Sequence, residues 1–198
     1  KSNVIKLKEN DEVIVPVPTY PNYYNLVKKN DGILVRVPTG EGFEIDFDKM
    51  YEAITDKTKL VFIANPNNPT GYLYTKQEML RIRDLVKKYN LYLFSDEVYR
   101  EFIYTKRPYI SACHLEGIEE NVVLVDSVSK RYSECGIRIG ALITKNEAVR
   151  KTVMKFCQAR LSPPLIGQIV AEASIEGTEA YSRDVYEAYV ERRKTLID

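Results

Sequence analysis

The chain has few of the residues on which several common functional sites depend. It contains no tryptophan, three cysteines and one histidine, His114, among 198 residues. A catalytic triad or a multi-histidine metal site would have to be built around His114, which lies in a loop-like stretch and is expected to be a surface or capping residue. The cysteines are odd in number and widely spaced, so they match neither a disulfide framework nor a zinc pattern, and they favour a reducing cytoplasm. No metal site is predicted.

Strong net charge and long apolar runs are also missing. The formal net charge is +1, and basic and acidic residues are intermixed along the chain. No apolar run approaches the roughly 20 residues of a membrane span, and residues 1–6 lack the apolar stretch of a signal peptide. Hydrophobic residues make up 44% of the chain, as in an ordinary globular core. We therefore expect a cytoplasmic protein without a nucleic-acid or membrane partner.

Six short apolar runs alternate with helical patterns. The runs cover residues 13–17, 32–37, 59–64, 91–95, 121–125 and 140–144. They are nearly continuous in apolar character, which is typical of strands covered on both faces. This order predicts an α/β fold with a mostly parallel, doubly wound sheet and helices on both faces.

The helical patterns cover residues 20–29, 46–54, 75–89, 146–156 and 164–196. The clearest begins at Thr75, which is followed three residues later by Glu78 at the spacing of a capping box. The last pattern is long, and we expect Gly167 and Gly177 to divide it.

Polar clusters follow three of the predicted strands. The third strand runs into residues 65–71, the fourth into residues 95–99 and the fifth into residues 126–130. Any one cluster alone is explained by a turn, a helix cap or a solvated loop. Ligands of open α/β sheets bind beyond the carboxyl ends of the strands. Three such clusters at three strand ends therefore favour one polar site at this edge of the sheet.

Other phosphate and metal sites fit less well. The chain contains neither the P-loop pattern Gly-x4-Gly-Lys-Ser/Thr nor the dinucleotide-binding pattern Gly-x-Gly-x-x-Gly. Asp96 and Glu97 could be imagined as a metal-binding pair. Adjacent residues of a strand point to opposite faces, however, which argues against it.

At these strand ends the sequence resembles the class I/II, fold-type I aminotransferases that depend on pyridoxal 5'-phosphate (PLP), and in particular aspartate aminotransferase. Residues 65–71 resemble the family motif Asn-Pro-x-Asn-Pro-Thr-Gly, and residues 95–99 resemble its Asp-Glu-hydrophobic-Tyr strand end. Residues 127–140 resemble the signature Ser-x-Ser-Lys…Gly-x-Arg-x-Gly. Residues 18–23 match the segment that carries the aromatic ring lying against the cofactor.

The resemblance implies three catalytic residues. Lys130 is implied to form a Schiff base with PLP and later to move the proton from the substrate α-carbon. Asp96 is implied to pair with the pyridine nitrogen and keep it protonated, so that the ring accepts electrons. Tyr99, together with Asn68, is implied to form hydrogen bonds with the phenolic oxygen of the cofactor.

The remaining implied contacts concern the phosphate, the ring and the substrate. Ser127 and Arg138 are implied to hold the phosphate, Arg138 through a charge-assisted fork, and Ser129 is a further candidate for this work. Tyr20 is implied to stack on the pyridine ring. Asn22 is a candidate substrate contact.

The function implied by the resemblance is transfer of an amino group between an L-amino acid and a 2-oxo acid, with aspartate or an aromatic amino acid as the favoured substrate. A homodimer with shared active sites is also implied. A PLP-dependent β-lyase of the same fold would use the same motifs equally well. A non-catalytic PLP-fold domain is a third interpretation, but it would not require the complete set of residues.

Two expected parts of the family pattern are not found. An upstream loop that helps to bind the phosphate cannot be placed in residues 1–10, and the chain stops before a downstream small domain with an arginine for the substrate carboxylate. We therefore expect residues 1–198 to be the PLP-binding large domain of a longer protein. The isolated chain is expected to be inactive or weak.

Overall fold

A computed structural model describes residues 7–197, so that residues 1–6, which carry no signal-peptide pattern, and Asp198 lie outside the described residues. The strands are β1 (Glu12–Val17), β2 (Ile33–Pro38), β3 (Thr58–Ala64), β4 (Tyr92–Asp96), β5 (Val122–Ser127) and β6 (Gly140–Ile143). The helices are α1 (Asn22–Lys29), α2 (Phe47–Glu52), α3 (Lys76–Tyr89), α4 (Val128–Arg131), α5 (Glu147–Ala159), α6 (Leu165–Glu176) and α7 (Thr178–Ile197). Each of the six apolar runs forms a strand.

The strands form one sheet in the order β2-β1-β3-β4-β5-β6. Strands β1 to β5 are parallel, and β6 runs antiparallel to β5. The predicted fold class, a mostly parallel α/β sheet, is thereby confirmed. The chain passes from β1 to β2 on one side and then crosses to β3 on the other side of β1. The strand order therefore reverses between β1 and β3, and a ligand site is expected beside this point.

Helix α3 covers one face of the sheet. Its capping box is present as predicted: the Thr75 hydroxyl accepts from the Glu78 backbone N–H, and the Glu78 carboxylate accepts from the Thr75 N–H. Met79 and Ile82 of the helix are fully buried in a core that includes Leu93 of the sheet. Burial of each such side chain stabilises the fold by roughly 1.5–3 kcal/mol.

The opposite face of the sheet is covered by α1. Val27 of this helix packs against Val13 and Val15 of β1, with Phe62 of β3 and Phe94 of β4 partly buried beside them. Alternate residues of the buried strands therefore enter two separate cores. This arrangement explains why the apolar runs show no polar alternation.

Of the two glycines predicted to divide the last helical pattern, one does so and the other does not. Gly177 separates α6 from α7, but Gly167 lies inside α6 and does not interrupt it. A Cβ at Gly167 would meet the carbonyl oxygen of Ile137 at 3.1 Å, so glycine permits the close approach of this helix to the loop before β6. Among residues 7–197, no helix combines the length and the apolar character needed to cross a membrane.

Candidate functional site

A cavity of about 530 Å³ lies at the carboxyl ends of β3, β4 and β5. Its walls contain every residue that the sequence predicts to bind the cofactor: Tyr20, Asn68, Asp96, Tyr99, Ser127, Ser129, Lys130 and Arg138. A second cavity of about 590 Å³ adjoins it, and five residues line both: Asn68, Tyr99, Ser129, Lys130 and Cys135. Lys130 therefore lines both cavities.

The asparagines after β3 have different tasks. Asn65 is fully buried and its Oδ1 accepts from the Tyr74 backbone N–H at 3.1 Å. The Asn67 amide donates to the carbonyl oxygen of Pro18 at 3.0 Å, which ties this loop to the segment after β1. Of the three asparagines, Asn68 is the one that lines the cavity containing Asp96. Two asparagines thus build the loop that presents the third.

The two acids after β4 face different surroundings. Asp96 lines the cavity, whereas Glu97 is fully buried outside it. The Glu97 carboxylate accepts from the Ser95 hydroxyl at 3.0 Å, from the Ala112 N–H at 2.8 Å and from the Tyr109 hydroxyl. Glu97 therefore anchors the loop that contains Tyr109 and Ala112. Within residues 7–197, no group of three or more His, Cys, Asp or Glu side chains could hold a metal ion.

Tyr23 is a site residue that the sequence interpretation missed. Its hydroxyl donates to Asp96 Oδ2 at 2.8 Å, and it also lines the cavity. Burial and the neighbouring Asp96 carboxylate raise the pKa of Tyr23 far above its ordinary value, so the phenol stays protonated and remains a donor. The available signal is its position three residues after Tyr20, at the start of the helix that follows Tyr20.

The end of β5 presents two hydroxyl groups, and the loop before β6 presents the Arg138 guanidinium. The Ser127 and Ser129 hydroxyl oxygens lie 2.8 Å apart, and Ser127 Oγ lies 2.9 Å from the carbonyl oxygen of Ile139. Arg138 has a left-handed backbone, with φ of 58°, and donates to the carbonyl oxygen of Cys135 at 2.8 Å. Its remaining guanidinium N–H groups are free to serve an anion in the cavity.

An ion-pair network lies behind these hydroxyls. Asp126 Oδ2 accepts from the Arg100 guanidinium at 2.9 Å and from that of Arg131 at 3.1 Å. Arg131 Nε also lies 3.3 Å from a carboxylate oxygen of Glu101. Asp126 lines the cavity beside Ser127. Because two guanidinium groups neutralise its carboxylate, Asp126 repels an anion at Ser127 less than an unpaired carboxylate would.

The segment before α1 supplies the aromatic side of the cavity. The Tyr20 ring is 44% exposed and meets the Tyr23 ring edge-on, with centroids 5.6 Å apart. Asn22, the candidate substrate contact, is exposed at the first position of α1 and lies outside both cavity linings. The Asn25 amide donates to Asn22 Oδ1 at 3.5 Å. The substrate role of Asn22 stays a prediction.

Comparison with known proteins agrees with this geometry. Residues 3–198 match the family model "Aminotransferase class I and II". The chain is 30% identical over 198 residues to a probable aspartate aminotransferase of Methanocaldococcus jannaschii, covering 97% of this chain and 52% of the relative. It is 31% identical over 195 residues to aromatic-amino-acid aminotransferase 2 of Thermococcus litoralis, covering 96% and 50%. The chain thus spans about half the length of these curated relatives.

The fold also matches solved structures. A double mutant of Thermus thermophilus aspartate aminotransferase superposes with a TM-score of 0.90 at 30% sequence identity. The match covers 97% of this chain and 51% of that structure. The sheet order and the helices around it are therefore those of one half of that enzyme.

Proposed function

The chain belongs to the class I and II aminotransferase family, and we propose that the protein transfers an amino group between an L-amino acid and a 2-oxo acid with PLP as cofactor. The observation that carries this proposal is the convergence of eight side chains of the expected types on one cavity. The names of the relatives, which are aminotransferases of aspartate and of aromatic amino acids, favour transfer over a β-lyase reaction.

The residues present fit the parts of PLP. Arg138 and the hydroxyls of Ser127 and Ser129 offer a cation and donors for the phosphate, and such charge-assisted bonds are the stronger kind. Asp96 offers a carboxylate for the protonated pyridine nitrogen, and Tyr20 offers a ring for the face of the pyridine. A cavity of about 530 Å³ lies within the usual size range of cofactor pockets.

When bound, PLP supplies an aldehyde that takes up the amino group and a ring that withdraws electrons from the substrate α-carbon. Lys130 supplies the amine that holds the cofactor covalently and, once released, takes the proton from the α-carbon. Tyr99 and Asn68 share both cavities with Lys130. They would hold the phenolic oxygen of PLP on the side of the cavity where Lys130 lies.

We also propose a compartment and an oligomeric state for the protein. The cysteines are all free and exposed, as suits a reducing cytoplasm. Helices α5 and α6 and the turn between them expose large apolar side chains, among them Phe156, Leu161, Leu165 and Ile166. Contiguous exposed apolar surface marks contact surfaces. We propose that a homodimer covers this surface, and light scattering of the purified protein tests it.

The test of the central assignment is trapping of the cofactor. The protein is mixed with PLP, reduced with borohydride and analysed by peptide mass spectrometry. A phosphopyridoxyl group is expected on Lys130, and Lys130→Ala is expected to lose it. Lys145→Ala, which removes an exposed lysine outside both cavities, should label normally. An adduct of equal yield in the Lys130→Ala protein would overturn the assignment.

The reaction type is tested separately, by adding an amino donor to the protein loaded with PLP. An amino acid added to the PLP-loaded protein should yield its 2-oxo acid together with the aminated cofactor. Release of pyruvate and ammonia from a β-substituted donor, without the aminated cofactor, would favour the lyase instead.

A further inference from the structure

We propose that Tyr23 is a positioning residue that fixes the Asp96 carboxylate for the pyridine nitrogen of the cofactor. This inference rests on the proposed function, because it assigns a partner to the residue that would hold the PLP ring. The family motifs in the sequence include Asp96 and Tyr20, but they give no role to Tyr23.

The Asp96 carboxylate is held at both of its oxygens. Oδ2 accepts from the Tyr23 hydroxyl at 2.8 Å, and Oδ1 accepts from the Val98 backbone N–H at 3.2 Å. A carboxylate has about four lone-pair positions. Two donors on different oxygens therefore fix the plane of the group and still leave lone pairs for an N–H in the cavity.

Tyr23 is itself held firmly. Its side chain is 5% exposed, and its ring lies 4.1 Å from the Phe62 ring, centroid to centroid. Phe62 continues the aromatic packing towards Phe94 at 6.0 Å. The hydroxyl of Tyr23 cannot leave Asp96 without disturbing this packing. The raised pKa of Tyr23 supports the same role, since a phenol that does not ionise cannot repel the carboxylate.

One short segment thereby serves two parts of the cofactor. Tyr20 and Tyr23 lie on one side of the start of α1, with their rings edge-on at 81°. Tyr20 lines the cavity, where its ring would meet the face of the pyridine ring of PLP. The Tyr23 hydroxyl donates to Asp96, which would meet the pyridine nitrogen. The packing of α1 on β3 therefore sets the ring face and the ring nitrogen partner together.

The experiment compares two ligands in one variant. Tyr23→Phe keeps the ring on Phe62 and removes only the hydroxyl. Wild type and variant are titrated with PLP and with 1-deaza-PLP, in which a carbon replaces the pyridine nitrogen. We expect PLP to bind the variant roughly 3- to 10-fold more weakly, which is less than the loss of a direct hydrogen bond to a charged group because Tyr23 acts on PLP only through Asp96. The affinity for 1-deaza-PLP should not change, because it has no N–H for Asp96.

The ratio of the two affinities is the decisive quantity, because a smaller folded fraction lowers both alike. Equal weakening of both ligands, or no weakening of either, would overturn the inference while leaving the proposed function intact. Failure of the wild type to bind PLP would refute the proposed function, and the inference with it. Tyr24→Phe, at an exposed neighbour on the same helix, is the matched control and should leave both affinities unchanged. In an Asp96→Asn protein, Tyr23→Phe should cause no further loss.

Discussion

Strands β1, β3, β4 and β5 and helix α3 bury most of their apolar side chains, whereas helices α5–α7 leave most of theirs exposed. Leu93 of β4 is 0% exposed, while Phe156 of α5 and Ile166 of α6 are 68% and 77% exposed. We call residues 12–143 the sheet region and residues 147–197 the helical region. Since free energy of folding follows apolar burial, the sheet region holds most of the stability of this chain.

The residues that line the two cavities also come mostly from the sheet region. Every residue that lines the cavity with Asp96 belongs to the sheet region. Among the described residues of the helical region, Tyr189 lines the second cavity, where its ring meets Phe102 at 5.5 Å. The residues that would hold the cofactor are therefore fixed by the better-packed region. The described residues of the helical region supply no side chain to the Asp96 cavity, but α6 packs at Gly167 against Ile137, beside Arg138 of the cavity wall.

The largest expected effect is a difference in unfolding free energy between the two regions. Leu93→Ala should lower the free energy of unfolding by about 2–5 kcal/mol, because it leaves a cavity in the buried core. At protein concentrations low enough to keep the chain monomeric, Ile166→Ala should change it by less than about 0.5 kcal/mol, as an exposed substitution does. Urea unfolding followed by circular dichroism measures both.

Protein concentration provides the control for this pair. If Ile166→Ala destabilises the protein as much as Leu93→Ala at every concentration, the surface of α6 is buried in the measured species and the comparison fails. A loss that appears only at high concentration would instead place Ile166 in the proposed dimer contact.

The next effect concerns the anion end of the cavity. Arg138→Gln should weaken PLP binding by about 10- to 100-fold, the range for loss of a hydrogen bond between charged groups. Binding of pyridoxal, which lacks the phosphate, should be unaffected. Arg150→Gln in α5 is the matched control. It should change the affinity for neither PLP nor pyridoxal, because the Arg150 side chain lines neither cavity. Equal losses for PLP and pyridoxal would remove Arg138 from the phosphate site.

The strands and the residues of the cavity could be predicted from the sequence, but the hydrogen bonds among those residues could not. Strands were predictable because each is a short apolar run, and Asn68, Asp96 and Lys130 were predictable because they follow those runs in motifs. The hydrogen bond of Tyr23 was not, since it joins residues 73 positions apart and depends on how α1 packs against β3. Gly167 misled because glycine serves equally as a helix end and as a close contact within a helix.

The smallest expected effect comes from removing a helix N-cap in each region. The comparison of the two losses tests whether the sheet region and the helical region unfold together. Thr75 caps α3 by accepting from the Glu78 N–H at 3.2 Å, and Asn146 caps α5 by accepting from the Val149 N–H at 3.0 Å. Replacement of either by alanine removes a bond of similar kind, which costs about 0.5–2 kcal/mol. Thr75→Ala should lower the global free energy of unfolding by that amount, because α3 belongs to the main core.

Asn146→Ala should act mainly on α5 itself. Hydrogen exchange should show faster exchange of the α5 amides, while the global free energy of unfolding falls less than in Thr75→Ala, since little of α5 is buried. The Asn146 amide also donates to the carbonyl oxygen of Glu120 at 2.8 Å, so some loss near β5 is expected. Lys76→Ala, beside the first cap, is the control. Equal global losses for the two caps would mean that the helical region unfolds with the sheet region as one cooperative unit, despite its exposed apolar surface.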